Sequence, residues 1–179
     1  MLIDRIRSRS LHYSIHSLTS VDEPFLWEML FEAAHMAEEG ETSIQVVMNH
    51  PEIAKYVKGW GRAGDLGFKA IASANQQPIG AAWVRLFTRE DQGYGYVDDA
   101  TPELAIAVLP EHRGQGVGTQ LLTHLLEAAK LAYPAVSLST RATNPALHLY
   151  QRFHFKAVDR SEVINRTGGT SFTMKIEFQ

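Results

Sequence analysis

The stretch Arg113-Gly114-Gln115-Gly116-Val117-Gly118 holds the residue types that point most directly to chemistry. A short apolar run, Leu104 to Leu109, precedes it and closes at Pro110, and Thr119 to Ala129 follows with apolar residues at helical spacing. A strand, a glycine-rich turn and a helix start in that order make a seat for a phosphate group. The first helical turn has N–H groups without intrahelical acceptors, and the macrodipole adds roughly half a positive charge there. Glycines let the backbone come close to the anion and adopt positive φ. Spacing narrows the ligand. Glycines at 114, 116 and 118 fail the G-x-G-x-x-G dinucleotide fingerprint, and no lysine lies in the loop for a nucleotide-triphosphate site. The pattern left is Arg113-x-x-Gly116-x-Gly118. The chain contains no cysteine, which excludes thiolate catalysis, disulfides and cysteine metal ligands.

These residues need elements to hold them. Ala135 to Arg141 reads as a strand with Val136 and Leu138 on one face. Asn144 then suits a helix cap and Pro145 a first helical position, opening a short helix that carries Tyr150 and stops before a strand near Phe155. Upstream, residues 11–18 alternate weakly as a first strand. Asp22-Glu23-Pro24 starts a helix that carries Phe25, Leu26, Met29, Leu30, Ala33 and Ala37 and ends at Gly40. A second helix is expected over about 42–58, with Pro51 restarting or kinking it. Phe68–Ala72 and Ile79–Phe87 read as a hairpin turning at Asn75 to Pro78, a long loop covers 88–101, and Phe172, Met174, Ile176 and Phe178 alternate along a last strand after the turn at Thr167-Gly168-Gly169.

Arg113-x-x-Gly116-x-Gly118, the preceding Val-x-Pro-Glu-x-Arg-Gly and the segment from Asn144 to Tyr150 together resemble the GNAT superfamily of acyl-CoA-dependent N-acetyltransferases. Leu147 stands at the family's alanine position, with Ala146 beside it. The resemblance runs over roughly 11–178, with a motif-bearing core at about 102–158. It implies an α/β fold: a mostly antiparallel mixed sheet, splayed between its fourth and fifth strands and flanked by helices, in a single domain over 1–179. It also implies that acetyl-CoA is the co-substrate. Arg113, Gly114, Gln115, Gly116, Val117, Gly118 and Thr119 would hold its pyrophosphate. Ile106, Ala107, Val108, Asn144 and Tyr150 would border its pantetheine arm. A β-bulge near Val108 would aim a backbone N–H at the thioester oxygen.

Helical spacing alone makes Tyr150 a residue packed on the sheet; its place in the motif implies the general acid that protonates the departing sulfur. The base is Glu103 or a relay through ordered water. Glu103 lies five residues before Val108, so a regular strand puts the two on opposite faces. His112, His124, His148 and His154 show no metal-ligand spacing, and no metal is expected.

Bulk composition fits a globular enzyme: 45% hydrophobic, 21% charged and a net charge of −3, without the basic face that nucleic acid requires. No apolar run reaches membrane-spanning length, and Met1 to Ser10 is too charged for a signal-peptide core, so the cytoplasm is the expected compartment. The expected partners are acetyl-CoA, an amine and a second copy of the chain. Glu38, Glu39, Glu41, Glu90, Asp91, Asp98 and Asp99, with Tyr94 and Tyr96, fall in loops that border the family's acceptor pocket, which suggests a cationic amine on a small molecule or peptide. A protein N-terminal or lysine acetyltransferase and a non-catalytic acetyl-CoA sensor are the other readings.

Overall fold

Alternating apolar residues and turn signals divide the described part of the chain, residues 12–179 of a computed structural model, into eight strands and five helices. Met1 to Ser10 lies outside the described residues. The order begins β1 (Tyr13–Ser17), α1 (Glu23–Ala33), α2 (Gln45–Met48), α3 (Pro51–Ala54), β2 (Leu66–Ala72), β3 (Pro78–Arg85) and β4 (Glu103–Val108). It continues with α4 (Val117–Ala129), β5 (Ala135–Arg141), α5 (Leu147–Arg152), β6 (Lys156–Ala157), β7 (Val163–Ile164) and β8 (Thr170–Glu177). The strands form one sheet in the order β1-β2-β3-β4-β5-β8-β6, with β7 also paired to β8. Every pairing is antiparallel except β4 with β5. This is the mixed, mostly antiparallel sheet that the sequence implies.

The sheet is covered on both faces, which is why β3 and β4 read as nearly continuous apolar runs. Ala82, Val84 and Leu104 face α4 together with Leu121, Leu122 and Leu125. Ala81, Trp83 and Ala107 face the other side, against Leu26, Met29 and Leu30 of α1 and Ile53 and Val57 near α3. Period 2 in the strands thus puts alternate residues into two separate cores.

The helices before β2 are shorter than their periodicity suggests. α1 stops at Ala33 because His35 adopts a left-handed φ of 58°; a 3-10 turn, Met36–Glu39, then carries the chain to Gly40. The expected helix over 42–58 is two single turns. His50, forced toward extended geometry by the proline that follows it, separates α2 from α3 with φ −101° and ψ 101°. The turn after α3 is fastened by Arg85, which is fully buried on β3. Its Nε and Nη2 donate to the two oxygens of Asp65 at 2.9 and 2.6 Å. Nη1 donates to the carbonyls of Lys55 and Lys58, both at 2.9 Å. The guanidinium also lies 5.5 Å from the Trp60 ring centroid.

Removing one partner of a buried ion pair leaves the other uncompensated. Asp65→Asn is therefore expected to cost about 3–5 kcal/mol of unfolding free energy, read from urea denaturation. A loss under about 1 kcal/mol, the value of an exposed pair, would show that Arg85 is held by the carbonyls alone.

Candidate active site

β4 and β5 share one registered pair, Glu103 with Ser137, where the Ser137 N–H donates to the Pro102 carbonyl at 3.0 Å. Beyond it the strands part. Their outer edges stay paired, β4 in unbroken register with β3 from Gly80–Val108 to Arg85–Glu103, and β5 with β8. Their inner edges face an open cleft of about 930 Å³. The bulge expected near Val108 is absent: register slips instead between β2 and β3 at Ala70/Ile71, so the donors on β4 come from a regular strand edge.

The wide end of the cleft meets the start of α4. Gly114 and Gly116 take φ of 71° and 83°, a left-handed geometry that side chains resist, and this turns the chain into the helix. No described backbone acceptor takes the N–H of Val117, Gly118 or Thr119; the first helical bond runs from Gln120 to the Gly116 carbonyl. Val108, Gly114, Gly116, Val117, Gly118 and Thr119 all line the cleft. Gln115 does not: its amide folds back to the Glu111 carbonyl at 3.3 Å. Arg113 lines the cleft as a brace, its Nε donating to the Val108 carbonyl at 2.9 Å and its Nη2 to Glu32 of α1 at 2.8 Å. The sequence reading missed Arg152, at the end of α5, whose Nη2 reaches the Thr119 hydroxyl at 3.3 Å.

Asn144 does not sit at the cap of α5. Its Oδ1 accepts from the Ala146 N–H at 2.9 Å, a local turn that delays the helix to Leu147 and leaves Pro145 outside it. Tyr150 still faces the cleft with Ile106, Ala107 and Asn144. Its ring is buried, and burial pushes the phenol up to about 12, so it keeps its proton throughout the neutral range.

The narrow end of the cleft holds Glu103, buried with 2% of its surface exposed. A regular β4 places it with Ala105 and Ala107 on the α1 face, opposite Val108, as the five-residue spacing requires. Oε1 accepts from the Tyr56 hydroxyl and from the Gly95 N–H, both at 2.6 Å. The Tyr56 hydroxyl in turn accepts from the Tyr94 N–H at 2.7 Å. Oε2 is buried and has no partner among the described residues. Burial is the largest influence on this carboxyl and raises it from 4.5 to about 7, against the opposing pull of Tyr56 and Gly95. Tyr56 is raised well above the ordinary phenol range, by burial first and then by the neighbouring carboxylate. The loop over Glu103 admits no side chain at two places. A Cβ on Gly93 would fall 1.9 Å from Glu103 Oε2, and one on Gly95 would fall 2.6 Å from the Leu138 carbonyl carbon.

The carboxylates of the loops are mostly committed to partners. Glu39 accepts from Arg141 and Arg166, Asp91 pairs with Lys55 at 3.0 Å, and Asp99 accepts from the Arg89 N–H and the Tyr96 hydroxyl. Of the seven acidic loop residues, only Glu38 lines the cleft. Among the described residues no cluster of side chains is arranged to hold a metal ion.

A parallel pair that parts around a glycine-turned helix start, with a carboxylate at its apex, defines an acyl-CoA transferase class of site. A model of the acetyltransferase (GNAT) domain matches residues 67–157, and the chain belongs to that family. An N-alpha-acetyltransferase from Sulfolobus acidocaldarius is 48% identical over 58 residues, covering 31% of this chain and 34% of that protein. The matched segment is thus about a third of the relative's length. In fold, the chain resembles the Salmonella typhimurium protein yncA with its cofactor acetyl-CoA, with a TM-score of 0.68, 17% identity and 94% and 95% of the two chains covered. It also resembles a spermidine N-acetyltransferase from Vibrio cholerae, with a TM-score of 0.59, 17% identity and 93% and 94% covered. The cleft suits acetyl-CoA on two counts: unpaired strand edges for an amide-bearing arm, and unpaired N–H groups for its phosphates.

Glu103 carries a stability cost with a defined sign. Its folded carboxyl binds a proton more tightly than the ordinary value of 4.5 allows, so its favourable contribution is present below 4.5 and is lost as pH rises through about 7. Glu103→Gln should therefore raise unfolding free energy by about 2–3 kcal/mol above pH 7 and by little at pH 4, measured by denaturation across pH. An equal effect at both pH values would show that the carboxyl is not raised.

Proposed function

We propose that the chain transfers an acetyl group from acetyl-CoA directly to a primary amine, with Glu103 as base and Tyr150 as acid. The observation that carries this reading is Glu103: a buried carboxylate at the apex of the cleft, raised to about 7, with one oxygen unclaimed. An alkylammonium ionises near 10 in water and must shed a proton before it can attack. A base near 7 is ionised often enough at neutral pH to take it.

Acetyl-CoA supplies the activated carbonyl; the chain does the rest. The first turn of α4 would hold its phosphates, and the inner edges of β4 and β5 would pair with its amides and fix its position. N–H groups on the inner edge of β4 would offset negative charge developing on the carbonyl oxygen, a role worth about 2.7–4 kcal/mol per donor. Glu103 takes one proton from the ammonium, which frees the nitrogen lone pair to form the new N–C bond. Tyr150, still protonated at neutral pH, gives its proton to the sulfur as the C–S bond breaks and regains one from the nitrogen as the amide forms. The chain holds no cysteine to carry the acyl group between these events.

The cationic-acceptor reading now rests on less than the loop composition implied. Glu38, the one loop carboxylate in the cleft, is itself shared with His35 at 3.0 Å and Arg141 at 3.4 Å, which leaves the half-exposed face of Tyr94 to meet a positive charge. An N-terminal amine of a polypeptide is the second reading, supported by the name of the Sulfolobus acidocaldarius relative. A non-catalytic sensor would have no use for a buried carboxylate that costs stability.

CoA release across a panel of amines and peptides tests the proposal, and release in no case would end it. With an active amine, kcat/KM should rise with pH through about 7 in the wild type. In Glu103→Gln that limb should vanish, with kcat lower by about 10²–10⁴-fold; a limb that survives would reassign the base. Tyr56→Phe removes a donor that lowers the Glu103 carboxyl and should move the limb to higher pH. Tyr150→Phe should lower kcat about 100-fold or more with acetyl-CoA affinity nearly unchanged. If kcat holds and affinity falls, Tyr150 is a packing residue.

A further inference from the structure

Three separate parts of the chain meet at the outer end of the cleft. The 3-10 turn after α1 brings Glu38 and Glu39, the end of β5 brings Arg141, and the hairpin from β7 to β8 brings Arg166. Glu39 joins them. Arg166 donates to its two oxygens, Nε to Oε2 at 3.0 Å and Nη2 to Oε1 at 2.6 Å, and Arg141 Nη2 donates to Oε1 at 2.7 Å. Arg166 Nη2 also donates to the Ala34 carbonyl at 2.9 Å, which ties the hairpin to the backbone after α1. Arg141 Nη1 adds a longer contact to Glu38 at 3.4 Å. These are not loose surface pairs: the side chains of Glu39 and Arg141 are 19% and 17% exposed. Arg166, first, and then Arg141 hold the Glu39 carboxyl below the usual carboxylate range.

The position of this network matters more than its strength. Ala34, Glu38, Arg141 and Arg166 line the same cleft as Glu103. Arg141 lies on the β5 face that carries Ser137, the partner of Glu103, and four residues further along the strand. At about 3.3 Å per residue that is roughly 13 Å. The network spans the cleft from the α1 side to the hairpin side at that distance from the base. A small amine is shorter than this interval. An extended polypeptide with its amine at Glu103 would meet the network within about four residues.

We propose that Glu39, clamped by Arg141 and Arg166, is a strap that closes the outer end of the acceptor cleft and selects a small-molecule primary amine over a polypeptide amine. The inference rests on the acetyltransferase reading and decides between its two acceptor classes. Glu39 acts here by holding two loops together, as a specificity-determining residue that touches neither reactant.

The test measures CoA release with small amines (monoamines, diamines, polyamines and amino acids) and with eight-residue peptides of varied N-terminus. The wild type, Glu39→Ala and Glu39→Asp are compared, with acetyl-CoA affinity measured by calorimetry. In the wild type, kcat/KM for the best small amine should exceed that for the best peptide by about 100-fold, a ratio within reach of a shaped pocket. In Glu39→Ala the ratio should fall about tenfold or more, through a lower peptide KM, and Glu39→Asp should restore part of it. The wild-type ratio stands as a test even if Glu39→Ala fails to fold. Peptides used as well as small amines by the wild type, or a ratio unmoved in Glu39→Ala, would overturn the strap and leave the transferase reading intact. Acetyl-CoA binding without CoA release from any amine would overturn the transferase reading and the strap with it.

Discussion

Two parallel neighbours that pair once and then separate leave a double row of backbone N–H and C=O groups without partners, and the rest of the molecule is arranged around that. A buried polar group without a partner costs about 1–3 kcal/mol, so a sheet closes such a gap unless something holds it open. Here β3 and β8 hold the outer edges in unbroken register, each over at least six residue pairs, which leaves β4 and β5 no freedom to slide together. At the apex the backbone around Gly95 lies against Leu138 and Ser139 of β5, where no side chain would fit. The gap is thus a property of the scaffold. An arm bearing amides can complete the sheet by occupying it.

The carboxylate at the apex depends on a chain of support that begins far from it. Arg85 gathers the carbonyls of Lys55, Lys58 and Gly59, so the turn after α3 has one conformation. That turn carries Tyr56, whose carbonyl accepts from Trp83 Nε1 at 3.0 Å and whose hydroxyl points at Glu103. Tyr56 therefore has both ends fixed before it meets the carboxylate. Gly93 lets the loop lie against the same group, and Gly95 lets it lie against β5 while donating its N–H to Glu103. Burial raises the affinity of Glu103 for a proton, and two short hydrogen bonds keep that rise moderate. The outcome is a carboxyl raised to near neutrality at the expense of stability, the exchange that the proposed role as base would require.

Local signals were legible in the sequence; long-range partners were not. The glycine loop, β5 from Ala135 to Arg141 and the alternation of Phe172 to Phe178 follow from spacing and turn chemistry within a dozen residues. Even the face of Glu103 follows from counting five residues back from Val108. Tyr56 could not be found in this way, because it stands 47 residues from Glu103 and reads as one more apolar helix residue. Helix lengths failed for a related reason. Periodicity counted Ala37 into α1, but one left-handed residue at His35 ended the helix, and nothing in that residue type announces it. The bulge came from resemblance alone, and the regular β3–β4 register replaces it.

The acidic loops show why charge counted along a chain is a poor guide to the field inside a cleft. A carboxylate bonded to two guanidinium groups is a rigid strut with no free negative charge, and Glu39 is one. Asp91 is likewise spent on Lys55, which also donates to Glu52 and to the Gln92 carbonyl. A paired charge acts at a distance only as a dipole, and its reach is shorter still in salt. With these charges spent, three properties would select an acceptor under the proposed mechanism. They are the length available between Glu103 and the Glu39 network, the basicity of the amine against a carboxyl near 7, and the exposed aromatic face of Tyr94, which stacks on Tyr56 at 6.3 Å. On the proposed mechanism, shape and proton affinity would do the work that the sequence assigned to net negative charge.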